Sequence, residues 1–142
     1  MRLAKLPDDG WELDSAEERH RLNPDSFWIP PAGERASLTR GQGAKLIFLI
    51  EAVEEDGTVC VHGERMWVVV AGRRDGCYVG ILVNESVEVE SGEEYLVAGA
   101  EIPFGPEHVI DIDEPPAGYA AEWLVKEPAR HWPPPSDEPV GW

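Results

Sequence analysis

The sequence predicts a mainly β protein with α structure only at its margins, built as a small SH3-like or partly open barrel of short antiparallel strands. Three observations carry that expectation. Apolar runs of strand length, rich in Val, Ile and Trp, recur between Ala44 and Asp113. Turn residues separate them about every ten residues, the spacing of small barrels. An Asp-Gly pair, Asp75-Gly76, sits between two such runs, the strongest local hairpin signal in the chain. With 142 residues the chain is one domain large enough for a real core. It divides into an N-terminal arm (1–43), a β core (44–113) and a Pro/Trp-rich C-terminal segment (114–142).

The arm is expected to hold one short helix. Ser15 and Glu18 have the spacing of a capping box, and Glu17 and Glu18 precede Arg19 and Arg21 in the order that suits the helix dipole. Asn23-Pro24 ends it, because the residue before proline disfavours helical geometry. Phe27-Trp28-Ile29-Pro30-Pro31 then reads as an extended apolar cover for an edge or mouth of the core.

Lys45 to Ile50 is a near-continuous apolar run, which fits a strand buried on both faces. Glu54-Glu55-Asp56-Gly57 is a charged turn, and Thr58 to His62 a short strand. Arg65 to Ala71 and Cys77 to Asn84 are the two arms of the hairpin closed by Asp75-Gly76. One core is expected to unite Ile47, Leu49, Val79 and Ile81 with Met66, Trp67 or Val68. Val87-Glu88-Val89-Glu90 alternates, with valine inward and glutamate outward. Tyr95–Val97, Glu101–Phe104 and His108–Ile112 are further strand candidates. Ala117 to Lys126 has Tyr119 and Trp123 on one helical face, and the last ten residues read as an extended tail. The Trp-bearing segment is expected on the outside of the barrel.

Charge narrows the function classes. There are 28 acidic and 12 basic residues, a formal charge of −16. Such a chain repels nucleic acid and anionic membranes and attracts basic proteins. From Asp75 to Val125 there are 12 acidic residues and no Lys or Arg. Inside that region Glu85, Glu88, Glu90, Glu93 and Glu94 fall within ten residues. Alternation places Glu88 and Glu90 on one exposed face, so this stripe is the expected partner-binding surface.

Chemistry-bearing motifs are absent. Gly41-Gln42-Gly43 lacks the further glycine of a nucleotide loop. No nucleophile motif is present, and nothing in the spacing pairs Glu101, Glu107, Asp111 or Asp113 as two hydrolytic carboxylates. His62 with Glu64, and Glu107 with His108, lack recognisable zinc spacing. No metal and no cofactor are therefore expected, and chelators should leave the fold unchanged. Cys60 and Cys77 are not a CxxC pair. They read as strand thiols, on strands that could be neighbours and so could be bridged. Arg65 could bind a carboxylate or simply pair with Glu64, Glu34 or Glu51, with Trp67 filling the core. No segment has the length of a membrane span, and the N-terminal residues lack the apolar core of a signal peptide. The cytoplasm is the expected location.

Residues 27–113 resemble an uncharacterised bacterial family, domain of unknown function 2314. The resemblance rests on Ile29-Pro30, Glu34-Arg35, Gly43 with Lys45-Leu46-Ile47-Phe48, and Glu64-Arg65-Met66-Trp67-Val68. It continues in Gly80-Ile81-Leu82-Val83-Asn84, Phe104 and Glu107-His108-Val109. It implies a small, mostly β bacterial domain and no particular chemistry. Where the family has Asn-x-Pro, this chain has Asn84-Glu85-Ser86.

Two functions follow as expectations. The first is a cytoplasmic interaction module, of the immunity-protein type, that binds a basic protein surface. The second is a ligand-binding or enzymatic barrel with Arg65, Trp67 and His108 near one mouth. A binder presents a flat or convex acidic patch; an enzyme presents a concave pocket with convergent polar groups.

Overall fold

The computed structural model describes residues 1–84 and 95–134. In chain order the elements are α1 (Leu6–Asp9), β1 (Trp11–Leu13), α2 (Ala16–Leu22), α3 (Ala32–Arg35), β2 (Gly43–Val53) and β3 (Val59–Arg74). There follow β4 (Cys77–Leu82), β5 (Glu101–Phe104), a 3-10 turn (Pro106–His108), β6 (Val109–Asp113) and α4 (Ala117–Val125). The strands form one antiparallel sheet in the order β1-β2-β3-β4-β5, with β6 added to β2. The sheet curls into a half-barrel, the architecture the strand pattern predicts.

β2 is the organising strand. One edge pairs with β3 over its whole length, from Gly43↔Val69 to Val53↔Val59. The other edge is shared, β6 taking residues 43–46 and β1 residues 48–50. Both faces are therefore covered, as the continuous apolar run requires. Leu46, Phe48 and Ile50 face the main core with Met66, Val68, Val70, Leu82 and Phe104. Ile47 faces the opposite way and packs with Ala16, Ile29 and Ile110, with Phe27 and Leu49 at the margin. The single core expected from the sequence is thus two clusters. The register Leu46↔Met66 and Ile47↔Arg65 puts Ile47 and Met66 on opposite faces. Val79 and Ile81 are buried but belong to neither cluster.

Thr58–His62 and Arg65–Ala71, read as two strands, merge into one 16-residue strand that starts at Val59, with Thr58 just before it. Gly63 between them stays in register opposite Leu49. A bulge between Val70 and Gly72 re-aims β3 before the hairpin. There Asp75 (φ 49°) and Gly76 (φ 83°) are both left-handed, the requirement of a type I′ turn, and they close Arg74 onto Cys77. Cys60 and Cys77 lie near opposite ends of β3 and neither is disulfide-bonded.

The arm contributes more than a helix. The Ser15 side chain caps α2 by accepting the Glu18 N–H at 3.1 Å, and Asn23 ends the helix as expected. β1 is too short to show periodicity, yet it buries Trp11 and Leu13. Arg35 is buried: its Nε donates to Pro30 O (2.8 Å) and its Nη1 to Pro106 O (2.9 Å) and Glu17 (2.7 Å). It ties the arm to the 3-10 turn.

The C-terminal segment departs from its expected place. α4 forms where predicted and contacts β3. Trp132 does not stay outside. It is 3% exposed and sits edge-on to Trp11 at 5.5 Å and to Tyr95 at 5.3 Å. Glu101 anchors it, accepting the Trp132 N–H at 2.9 Å and Arg74 Nη2 at 2.8 Å. Tyr95–Val97 is not a strand; the Tyr95 hydroxyl donates to Glu101 O at 2.7 Å. The alternating segment Val87–Glu90 and residues 135–142 of the expected tail lie outside the described residues.

Candidate functional site

The most exposed part of the sheet is the arm formed by the end of β2 and the start of β3. β1 stops pairing at Ile50 and β4 pairs with β3 only from Val68 onward. Between these limits Glu51↔Val61, Ala52↔Cys60 and Val53↔Val59 pair with each other. Alternation sends Val53, Val59 and Val61 to one face, where they are 71%, 58% and 52% exposed. Three exposed β-branched residues side by side form an apolar patch that none of the described residues covers.

Acidic residues follow it into the turn, and Glu51 shares its face opposite Val61. Glu51, Glu54, Glu55 and Asp56 are all exposed. The turn that carries them is well defined: Glu54 N–H donates to Thr58 O (2.8 Å) and Gly57 N–H to Glu54 O (2.9 Å). Hydrogen bonds from Thr58 hold the Asp56 carboxyl below its ordinary range. Hydrogen bonds from Cys60 and His62 do the same for Glu54. The Glu54 and Asp56 carboxylates are therefore ionised at neutral pH.

The other face of this arm carries Cys60, His62 and Glu64 in alternation. Sequence reasoning grouped His62 with Glu64. The register instead brings His62 and Cys60 to Glu54 across the turn. The signal that would have found this is the Ala52↔Cys60 pairing, which places Glu54 diagonally beyond Cys60.

The residues expected to share a barrel mouth are spread over two edges of β2. Arg65 is exposed and lies over the Phe27 ring at 5.7 Å. Trp67 is half-buried on the same face, with Lys45 Nζ 5.7 Å from its ring. Its backbone N–H donates to Asn84 Oδ1 at 2.7 Å. It lines a cleft of about 190 Å³ with Gly43, Val83, Asn84, Asp113 and Tyr119. Arg65 and His108 do not line that cleft. His108 is buried at the far edge of β2, where its Nδ1 accepts the Gly105 N–H at 2.9 Å. Burial lowers its pKa, against a smaller opposing pull from Glu107, and keeps the ring neutral.

The acidic stripe Glu85, Glu88, Glu90, Glu93 and Glu94 lies outside the described residues. Among the described residues no helix is long and apolar enough to cross a membrane. No family model, curated protein or solved structure matches this chain.

Proposed function

We propose that this chain is an acidic cytoplasmic protein-interaction module that docks a basic protein partner, as an immunity-type protein masks its target. The observation that carries the reading is the β2–β3 arm. It presents Val53, Val59 and Val61 exposed, with Glu51 on the same face and the exposed Glu55 and Asp56 in the adjoining turn. An apolar centre with a charged rim is the anatomy of a protein interface. The rim is of one sign, so the complementary surface is basic. The formal charge of −16 extends the attraction beyond contact range and favours rapid association. The resemblance to an uncharacterised bacterial family adds no chemistry to this reading.

The ligand-binding alternative has weaker support. The cleft beside Trp67, at about 190 Å³, falls below the roughly 300–1,000 Å³ of ordinary small-molecule sites. Arg65, Trp67 and His108 do not converge on one space.

The test is affinity capture from the native host, followed by binding kinetics of the captured protein at two salt concentrations. Glu51→Lys with Glu55→Lys should slow association, with the effect shrinking as salt rises. Val59→Ser should raise the dissociation rate and leave association nearly unchanged. A captured partner that binds both variants with wild-type kinetics at low salt would remove the arm from the interface and end this reading.

A further inference from the structure

Glu54, Cys60 and His62 converge at the base of the acidic turn. Cys60 Sγ lies 2.9 Å from Glu54 Oε1 and 3.0 Å from His62 Nε2. His62 Nε2 lies 3.4 Å from Glu54 Oε1. Among the described residues this is the group of three His, Cys, Asp or Glu side chains whose ligand atoms lie within 4.8 Å of one another. The hairpin creates it. Cys60 and His62 are two apart on β3 and so share a face, and Glu54 reaches them diagonally from the end of β2.

Two chemistries use a thiol, an imidazole and a carboxylate: a nucleophile relay and a metal site. A relay needs both ring nitrogens, one facing the nucleophile and the other the carboxylate. Here the same nitrogen, Nε2, faces both the thiol and the carboxylate. The three donor atoms form a closed triangle around one point. Tetrahedral zinc, with bonds of about 2.0–2.3 Å, separates its ligands by about 3.3–3.7 Å. The His62–Glu54 edge already fits, and the two sulfur edges need to lengthen by about half an ångström, which exposed side chains at a hairpin end can supply.

We propose that Glu54, Cys60 and His62 form a binding site for a borderline divalent transition-metal ion, zinc first. The donor set selects the metal. A thiolate and an imidazole suit zinc and its neighbours, whereas magnesium and calcium take oxygen ligands. Binding displaces the thiol proton to solvent, so affinity rises with pH. The site stands whether or not the arm docks a partner.

Cobalt(II) is the probe, added to the untagged full chain in a non-thiol reductant. The expected result is one equivalent bound, with the visible bands of tetrahedral cobalt and a near-ultraviolet thiolate-to-cobalt charge-transfer band, and displacement of both by zinc. Cys60→Ala should abolish the charge-transfer band. His62→Ala and Glu54→Gln should each weaken cobalt binding at least about tenfold, the lower end of ligand-shell losses. Cys77→Ala should change nothing. Melting temperatures of the Cys60, His62 and Glu54 variants in chelator should match wild type, because the arm end lies outside both cores. Cobalt bound without a thiolate band would overturn the proposal, as would Cys60→Ala titrating like wild type or no binding at all.

Discussion

Substituting Gly80 by alanine should strain the main core, and shortening Val68 should relieve that strain. Gly80 pairs with Val70 on one side and Ile102 on the other. Its φ is not among the positive values, so the glycine supplies space and not backbone freedom. A Cβ there would lie 2.6 Å from Val68 Cγ2, 2.8 Å from Val68 Cβ and 3.2 Å from Phe104 Cε1. Carbon atoms at rest sit about 3.5–4.0 Å apart, so about 1 Å must be absorbed by the surroundings. Val68 and Phe104 are fully buried and cannot swing away. Overpacking of this kind costs about 1–3 kcal/mol. Val68→Ala alone removes two buried methyl groups, roughly 0.8 kcal/mol each in transfer, and the cavity brings the cost to ~2–3 kcal/mol. Independent effects would sum to ~3–6 kcal/mol. The double variant should instead be ~1–2 kcal/mol more stable than the sum, since the methyl added in Gly80→Ala enters the space that Val68→Ala vacates. Urea titration followed by tryptophan fluorescence reads all four members of the cycle. Additivity within ~0.5 kcal/mol would refute the close approach of β4 to Val68.

Two further outcomes concern the second cluster and the C-terminal anchor. Ile47→Ala should cost about 2–5 kcal/mol, because Ile47 is 2% exposed against Ala16, Ile29 and Ile110; a loss under about 0.5 kcal/mol would mean the arm does not cover β2. Glu101→Gln should flatten the acid limb of stability. Burial raises the Glu101 carboxyl, but the Arg74 hydrogen bond and the Trp132 N–H more than offset it, leaving the folded pKa below the ordinary 4.5. On acidification the unfolded chain takes up that proton first. The contribution of Glu101 is therefore full above the ordinary value and lost as pH falls through the folded one. Denaturation free energies measured across that range should fall more steeply for wild type than for the variant, and parallel curves would dismiss Glu101 as the anchor.

The sequence made the local structure legible wherever one residue dictates its own backbone. Asp75-Gly76 fixed the hairpin because both positions need left-handed φ, and Ser15 fixed the start of α2 because its oxygen satisfies an orphan N–H. The apolar run at Lys45–Ile50 announced a strand covered on both sides. Register was not legible. A one-residue slip exchanges the faces of a strand, and β2 is apolar on both, so nothing local separated Ile47 from Phe48. The same ambiguity hid the meeting of Glu54 with Cys60 and His62, which depends on the pairing of Ala52 with Cys60. Trp132 was misplaced for a different reason. Its partners are Trp11, Tyr95, Glu101 and the Arg2 carbonyl, and no sequence window contains them together.

That last contact bears on how the chain is made. The Trp132 indole N–H donates to Arg2 O at 2.8 Å, across 130 positions, and the Arg2 guanidinium lies 4.6 Å over the same ring. Translation delivers these partners in order, and Trp11 waits for Trp132. At about 5–20 residues per second the interval is roughly 6–24 s. Throughout it Trp11, and Tyr95 once it is made, lack the ring that covers them. Pairing so distant in sequence also slows closure once synthesis is done. The nascent chain thus passes through a stage in which these aromatic rings are incompletely covered. The formal charge of −16 makes copies of the chain repel one another at that stage as in the folded protein.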